Sequence, residues 1–232
     1  MRSIIISDLY GETGALSGVL AAAGFDRKQD TLVFLGNLMD LGPDPFGAYR
    51  MVRDLKTEME DRLVLLCGDH ERMFIDSELL TRGQLANGLI WRQNGGKETV
   101  DAFKKRGVST GKAAVWLKEN LRTWYEDLDF IAVHGDIRDD IIWNNSEDNF
   151  VWGNQGVLYN DYSGKLAVVG NAPVKAPTYL DGSGNPFRPE LRYGVWYSLP
   201  KNGMIALNTG LDTPGKLTAM IIENRNMYFL SP

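Results

Sequence analysis

Histidine and cysteine are scarce in this sequence, and that scarcity limits the metal chemistry it can support. The 232 residues include two histidines, His70 and His134, and one cysteine, Cys67. Imidazole is the commonest protein ligand for transition metals, so two histidines cannot supply a histidine-rich site for two ions. A single cysteine excludes an internal disulfide and a thiolate-rich zinc site, and its position in an apolar run predicts a buried, inert thiol.

Long apolar runs and an excess of basic residues are also missing. No run reaches the roughly 18 residues that a membrane-spanning helix needs, and the first residues turn polar too soon for a secretory signal. We therefore expect a cytoplasmic protein with no membrane partner. The net charge of −5 gives no electrostatic reason to expect nucleic-acid binding. The length and the 44% of hydrophobic residues predict a single domain covering 1–232.

Apolar segments alternate with helical patterns in the first seventy residues, an order typical of α/β proteins with parallel strands. Strands are predicted there at 4–7, 31–35 and 63–67, and helices at 14–23, at 46–58 and from 71.

The rest of the chain predicts a helical middle from 71 to 125, with a polar turn at 93–96, and then further strands. These strands are predicted at 130–133 and 166–169 and, as an antiparallel series, at 193–199, 204–207, 217–223 and 227–230. We expect an α/β fold in which two stacked mixed β-sheets are flanked by helices.

Four of the apolar strands end in a glycine next to a polar residue, where open α/β sheets place their sites. The pairs are Gly36-Asn37, Gly68-Asp69, His134-Gly135 and Gly170-Asn171. Glycine lets the backbone approach a ligand closely, although it also simply ends strands.

The order of these motifs resembles the calcineurin-like metallophosphoesterase superfamily. The motifs are Asp8-Leu9-Tyr10-Gly11, Gly36-Asn37-Leu38-Met39-Asp40-Leu41-Gly42-Pro43-Asp44, Gly68-Asp69-His70-Glu71, His134-Gly135 and Gly170-Asn171-Ala172-Pro173. They are most similar to those of phage and bacterial serine/threonine protein phosphatases and symmetrical diadenosine tetraphosphate hydrolases. The resemblance covers nearly the whole chain and implies an αββα sandwich with a site for two metals.

Most of the implied metal positions carry altered residues. The family's bridging aspartate corresponds to Asn37, whose amide offers one oxygen and no charge. A family histidine corresponds to Tyr10, a poor ligand because its phenol stays protonated at neutral pH. A second family histidine corresponds to Asn171, and a family asparagine corresponds to Asp69. The candidate metal positions are therefore Asp8, Asn37, Asp69, His134 and Asn171, with a site that is weak or lost.

The phosphate-binding positions are altered too, while an acid–base pair persists. Leu41 and Asn154 stand where the resemblance implies arginines, so we expect no phosphate-binding residue. His70 matches the family histidine that protonates the leaving group, and Asp40 matches the aspartate that orients it, which makes them the catalytic candidates. The alternative is a structural hydrogen bond between two loops.

Two functions stay open beside a purely structural or assembly role. The first is a catalytically impaired pseudo-phosphatase that binds or regulates a protein or a phosphorylated ligand and holds no cofactor tightly. The second is a metal-dependent phosphoesterase with a rearranged site. In it, Asp8, Asp69 and His134 would hold one Mn²⁺ or Mg²⁺ with amide oxygens or Asp136. The polar segment 138–149 suits a lid, a partner surface or a solvated loop.

Overall fold

The fold is described from a computed structural model that covers residues 2–79, 85–153, 162–183, 191–210 and 216–231. The helices in these ranges are α1 (Thr13–Ala22), α2 (Pro45–Met59), α3 (Asp69–Leu79), α4 (Leu85–Trp91), α5 (Lys97–Lys105), α6 (Thr110–Asn120) and α7 (Glu147–Trp152). The strands are β1 (Ser3–Ile6), β2 (Thr31–Phe34), β3 (Leu63–Leu66), β4 (Leu121–Arg122), β5 (Trp124–Glu126), β6 (Ile131–Val133), β7 (Ala167–Val169), β8 (Thr178–Leu180), β9 (Trp196–Ser198), β10 (Met204–Ala206), β11 (Ala219–Glu223) and β12 (Asn226–Leu230).

The strands form two sheets, as the sequence predicts. The larger sheet has the order β4-β3-β2-β1-β11-β12-β9, and the smaller has the order β5-β6-β7-β10-β8. Strands β1 to β4 run parallel to one another, whereas β11 is antiparallel to β1, β12 to β11 and β9 to β12. In the smaller sheet β6, β7 and β10 are parallel, with an antiparallel strand at each edge. Both sheets are therefore mixed.

The alternation of side chains along β1 shows how the layers stack. Ile4 and Ile6 join the core beneath the helices, while Ile5 joins the core shared with the smaller sheet. In the same way Ala132 of β6 faces the larger sheet, and Val133 faces the opposite side. Because strand side chains alternate between faces, each sheet contributes to two cores.

Three predictions about strands need correction. The helical middle ends at Asn120, and the residues after it form β4 and β5 as edge strands of the two sheets. Strand β8 was not predicted, because this three-residue edge strand begins with polar, partly exposed residues and lacks an apolar run. The predicted strand 204–207 does not join the antiparallel series: it forms β10, which lies in the smaller sheet and runs parallel to β7.

Two smaller predictions are confirmed. The polar turn at 93–96 interrupts the helical region, with Asn94 and Gly95 in non-helical conformations. Cys67 is buried, and burial raises the pKa of its thiol to about 12, which keeps the thiol protonated. No helix within the described ranges is long and apolar enough to span a bilayer.

Candidate active site

The carboxyl ends of five strands bring the predicted site residues together. Asp8 follows β1, Asn37 follows β2, Asp69 follows β3, His134 follows β6 and Asn171 follows β7. Glycine permits this convergence. A Cβ on Gly68 would lie 2.2 Å from Oδ1 of Asn37, and one on Gly170 would lie 2.7 Å from Oδ1 of Asp8. Substitution of either glycine would push the loops apart.

Asp8 is a buried carboxylate surrounded by hydrogen-bond donors. Its Oδ2 accepts from the Tyr10 hydroxyl at 3.2 Å and from Nδ2 of Asn37 at 3.0 Å. Its Oδ1 accepts from the backbone N–H of Asn171 at 3.1 Å. Burial raises the pKa of Asp8, while the nearby charge of His134 opposes that rise. Protein donors therefore occupy both carboxylate oxygens.

The amide of Asn37 is oriented by its neighbours. Its Nδ2 donates to Asp8 and, at 3.0 Å, to the Tyr10 hydroxyl, while its Oδ1 accepts from the backbone N–H of His70 at 3.2 Å. A flipped amide would place its oxygen against the Asp8 carboxylate and its NH₂ against an N–H donor. The oxygen of Asn37, its only atom able to bind a metal, therefore points away from Asp8.

The backbone around this network adopts conformations that most residues avoid. Tyr10, Asn37, Asp40 and Asn171 have φ angles of 44°, 51°, 67° and 49°. Asparagine and aspartate tolerate this left-handed region, but an aromatic residue does so at a cost. The hydroxyl contacts of Tyr10 and its edge-on packing against His70, with ring centroids 5.5 Å apart, hold it in place.

His134 is fully buried and is held at both ring nitrogens. Its Nδ1 lies 2.8 Å from the Leu35 carbonyl, which can only accept, so Nδ1 carries a proton. Its Nε2 lies 3.2 Å from Oδ1 of Asp69. A neutral ring would therefore place a lone pair against a carboxylate oxygen. A second proton or a cation must lie between them.

The pKa values of this pair match the protonated form. Burial alone would lower the pKa of His134, but the charge of Asp8 and the contact with Asp69 raise it to about 9. Burial would raise the pKa of Asp69, but the hydrogen bond to His134 and its charge lower it to about 2. With no cation bound, the pair is charged at neutral pH.

Asp40 and His70 form a second buried pair. Oδ2 of Asp40 lies 2.8 Å from Nδ1 of His70 and also accepts from Nε1 of Trp91 at 2.8 Å. Its Oδ1 accepts from the Thr99 hydroxyl. Burial tends to lower the pKa of His70, yet the bond to Asp40 raises it. The pair is therefore part of a structural hydrogen-bond network, and its acid–base role stays a prediction.

Sequence reasoning gave no role to Glu71, although it ends the motif Gly68-Asp69-His70-Glu71. This buried carboxylate accepts from the backbone N–H groups of Asn37, Leu38 and Gly68, at 2.7, 2.8 and 3.1 Å. Burial raises its pKa, while these hydrogen bonds oppose the rise. Glu71 thus joins the loops that carry Asn37 and Asp69. Trp91 and Thr99 were missed as well, because only the folded chain shows what they contact.

The remaining candidates are Leu41, Asn154, Asn171 and Asp136. Leu41 is 51% exposed, and Asn154 lies outside the described residues. Nδ2 of Asn171 donates to the Trp152 carbonyl at 2.7 Å, which ties the loop after β7 to the end of α7. Asp136 accepts from Nε of Arg138 at 2.8 Å, within its own loop.

The family model for calcineurin-like phosphoesterases matches residues 1–199. The chain belongs to this family. Among curated proteins, it is 32% identical over 92 residues to serine/threonine-protein phosphatase 1 of Salmonella typhimurium, a match that covers 40% of this chain and 38% of that protein. It is 35% identical over 71 residues to the symmetrical bis(5'-nucleosyl)-tetraphosphatase of Pectobacterium atrosepticum, covering 31% of this chain and 24% of the relative. These two matches thus span well under half of either relative.

Solved structures show the same fold over the whole chain. A metallophosphoesterase from Sphaerobacter thermophilus superposes with a TM-score of 0.69 at 20% identity, covering 100% of this chain and 88% of that one. A structure titled as a putative diadenosine tetraphosphatase gives a TM-score of 0.59 at 15% identity, covering 99% and 93%. The expected fold and family are therefore confirmed.

The residues of this family member do not fit the two-metal centre that the family implies. At the bridging position an amide N–H donor faces Asp8, and at the neighbouring position a phenol does the same. Within the ranges that the structure covers, no three histidine, cysteine, aspartate or glutamate side chains are arranged to hold one ion. The metal-binding roles of the five candidate residues stay predictions.

Proposed function

We propose that this member of the phosphoesterase family is a pseudo-phosphatase, which has kept the fold and serves a binding or regulatory role. The observation that carries the proposal is the orientation of Asn37, whose Nδ2 donates to Oδ2 of Asp8 at 3.0 Å. At the position where the family's metal site is expected to have a negatively charged bridging ligand, this chain has the positive N–H end of an amide dipole. The carboxylates that would attract metals instead accept hydrogen bonds from Tyr10 and Asn37 and pair with His134.

The phosphate side supports the same proposal. Leucine at position 41 offers neither charge nor a hydrogen-bond donor to a phosphoryl group, whereas arginine binds it through a rigid fork. The Asp40–His70 pair on its own supplies acid–base chemistry, which contributes about 10²- to 10⁴-fold to enzyme rates. That range is far below the acceleration that phosphate-monoester hydrolysis requires. A cytoplasmic location and a protein or phosphorylated ligand as partner remain part of the proposal.

Hydrolysis of p-nitrophenyl phosphate tests the proposal directly. Protein purified without chelator is assayed with Mn²⁺ beside a His134→Ala variant, and we expect both to show the same background rate. Metal analysis of the same sample should find well under one ion per chain. Turnover well above background that is lost in Asp69→Ala would show that the protein is an enzyme.

One observation favours a second candidate, a hydrolase that uses a rearranged, single-metal site. Nδ1 of His134 bonds the Leu35 carbonyl while Nε2 points at Asp69. Metal-ligating histidines commonly have this arrangement, in which a carbonyl fixes the ring and frees the other nitrogen. Asp8 and Asp69 would supply the carboxylates for Mn²⁺ or Mg²⁺. Calorimetric titration with Mn²⁺ decides between the candidates, because only the second requires saturable binding that Asp69→Ala abolishes.

A further inference from the structure

The loop between β6 and α7 is braced by its own side chains. Oδ1 of Asn145 accepts from the backbone N–H groups of Arg138 and Asp139, at 2.8 and 3.1 Å. Asp139 in turn accepts from the backbone N–H of Ile141 at 2.8 Å and from Nδ2 of Asn144 at 3.0 Å. The loop therefore has a defined shape before anything binds, which lowers the entropy lost on binding.

This braced loop presents two large apolar side chains to solvent. Ile142 packs into the core of the smaller sheet, whereas Ile141 and Trp143 on either side are 58% and 78% exposed. Trp143 packs edge-on against Trp124, with ring centroids 5.4 Å apart. We call Trp124, Ile141 and Trp143 the Trp143 surface. Exposed aromatic residues held in one orientation are typical of interface hot spots.

A groove adjoins the Trp143 surface. Trp124 also lines an open cavity of about 1120 Å³, together with the other residues of 121–128 and Lys165. Strands β4 and β5, which form the groove, are edge strands of the two sheets. Nζ of Lys165 is paired with Glu126 at 2.9 Å, so the two charges offset each other. The groove offers an open binding surface for an extended segment, next to the exposed ring of Trp143.

The charge around the surface limits the class of partner. Residues 139–153 include no lysine or arginine, and Asp140 and Asp148 are exposed. Arg138 is paired with Asp136, and Arg72 on α3 is paired with Glu147. Arg122 and Lys165 line the groove together with Glu126 and Asp127, so positive and negative charges there offset each other. Such a surface repels nucleic acids and anionic membranes, and both its carboxylates and its indole faces attract cations.

We propose that the Trp143 surface and the adjoining groove bind a basic segment of a partner protein. An apolar side chain of that segment packs against Trp143 and Ile141, and its lysines or arginines face Asp140 and Asp148. This names a partner for the binding role proposed above and so rests on that role, but it requires no assumption about hydrolysis.

Selection of random peptides displayed on phage against the immobilised full-length chain tests the proposal. We expect the enriched peptides to carry net positive charge and at least one large apolar residue. As fluorescein-labelled synthetic peptides, they should bind about tenfold or more weakly to Trp143→Ala, as expected for a truncated hot spot. Trp196→Ala is the matched control, since Trp196 is 52% exposed and packs on Tyr228 in the other sheet. It should bind like the parent.

Charge reversal supplies a second, independent measurement. The double variant Asp140→Lys, Asp148→Lys should bind the same peptides about tenfold more weakly at low salt. This loss of affinity should shrink as ionic strength rises. The control Glu98→Lys, Glu119→Lys reverses two exposed charges on α5 and α6 and should have little effect. Neutral or acidic enriched peptides, equal binding to Trp143→Ala and Trp196→Ala, or no enrichment at all would overturn the proposal. Phosphatase turnover would overturn only the pseudo-phosphatase, because peptide binding is measured without substrate.

Discussion

Asn37 donates a hydrogen bond to Asp8 from the loop of a neighbouring strand, with Nδ2 of one lying 3.0 Å from Oδ2 of the other. The contact joins the ends of β1 and β2 without a metal ion. In the arrangement that the family implies, two negative side chains at these positions would need a cation between them. Here Asn37 is neutral, and its amide donates a hydrogen bond to the remaining carboxylate of Asp8.

Asn37→Asp should therefore destabilise the metal-free protein. The new carboxylate would face Asp8 in a buried setting, and we expect a loss of roughly 2–3 kcal/mol in the free energy of unfolding. Mn²⁺ should restore part of that loss, because a cation can neutralise the pair. Urea unfolding with EDTA and with Mn²⁺ measures both effects. Asn226→Asp, an exposed change on β12, is the control. An Asn37→Asp variant as stable as the parent in EDTA would show that the amide is dispensable.

Restoring the family residues together should create metal binding. The variant carries Tyr10→His, Asn37→Asp, Leu41→Arg, Asp69→Asn and Asn171→His. The loops that carry these positions already converge, so we expect more than one Mn²⁺ per chain by elemental analysis after dialysis. The unmodified protein and a variant carrying Leu41→Arg alone should hold well under one Mn²⁺ per chain. If the variant folds, as judged by circular dichroism, yet stays metal-free, the loops do not have the geometry that the family's metal site requires.

The pair of His134 and Asp69 should titrate far from ordinary pH values. The pKa of His134 is raised from 6.5 to about 9. Its contribution to the free energy of unfolding is therefore complete below pH 6.5 and is lost as pH rises through 9. The pKa of Asp69 is lowered from 3.8 to about 2, so on the acid side the contribution is lost only as pH falls through 2. NMR titration of the His134 ring in EDTA should give a midpoint near 9, which Asp69→Asn should lower. A midpoint near 6.5 in the parent would contradict the charged pair.

Asp40→Asn should destabilise the protein whether or not it is an enzyme. The carboxylate accepts from His70, Trp91 and Thr99, and an amide cannot accept from all three. We expect a loss of roughly 3 kcal/mol in the free energy of unfolding and a shifted indole N–H signal for Trp91. Asp101→Asn, an exposed carboxylate paired with Lys97, should leave the unfolding midpoint almost unchanged. Equal stability of the two variants would mean that the Asp40 network contributes little.

Motif order in the sequence was sufficient to predict the family, the two sheets and the loops that meet. The strands that carry Asp8, Asn37, Asp69, His134 and Asn171 are short, apolar and followed by glycine, and local pattern alone reveals such segments. The prediction failed for β4, β5 and β8, which are short edge strands that mix polar and apolar residues and so lack the apolar run of the central strands. It also placed β10 in an antiparallel series, although β10 runs parallel to β7, because pairing partners far apart in the chain leave no local signal.

Residue types in the sequence were enough to predict an altered two-metal site, since Tyr10, Asn37 and Asn171 are visible without coordinates. Only the tertiary structure decided what replaces it. The direction of the Asn37 amide, the donors around Asp8 and the ionic pair of His134 and Asp69 depend on distances of about 3 Å between loops up to 163 residues apart. The same holds for Glu71, whose partners are backbone N–H groups, and for Trp143, whose exposure follows from the bracing of its loop. Sequence specifies which groups are present, whereas hydrogen bonding and burial depend on which of them the folded chain places in contact.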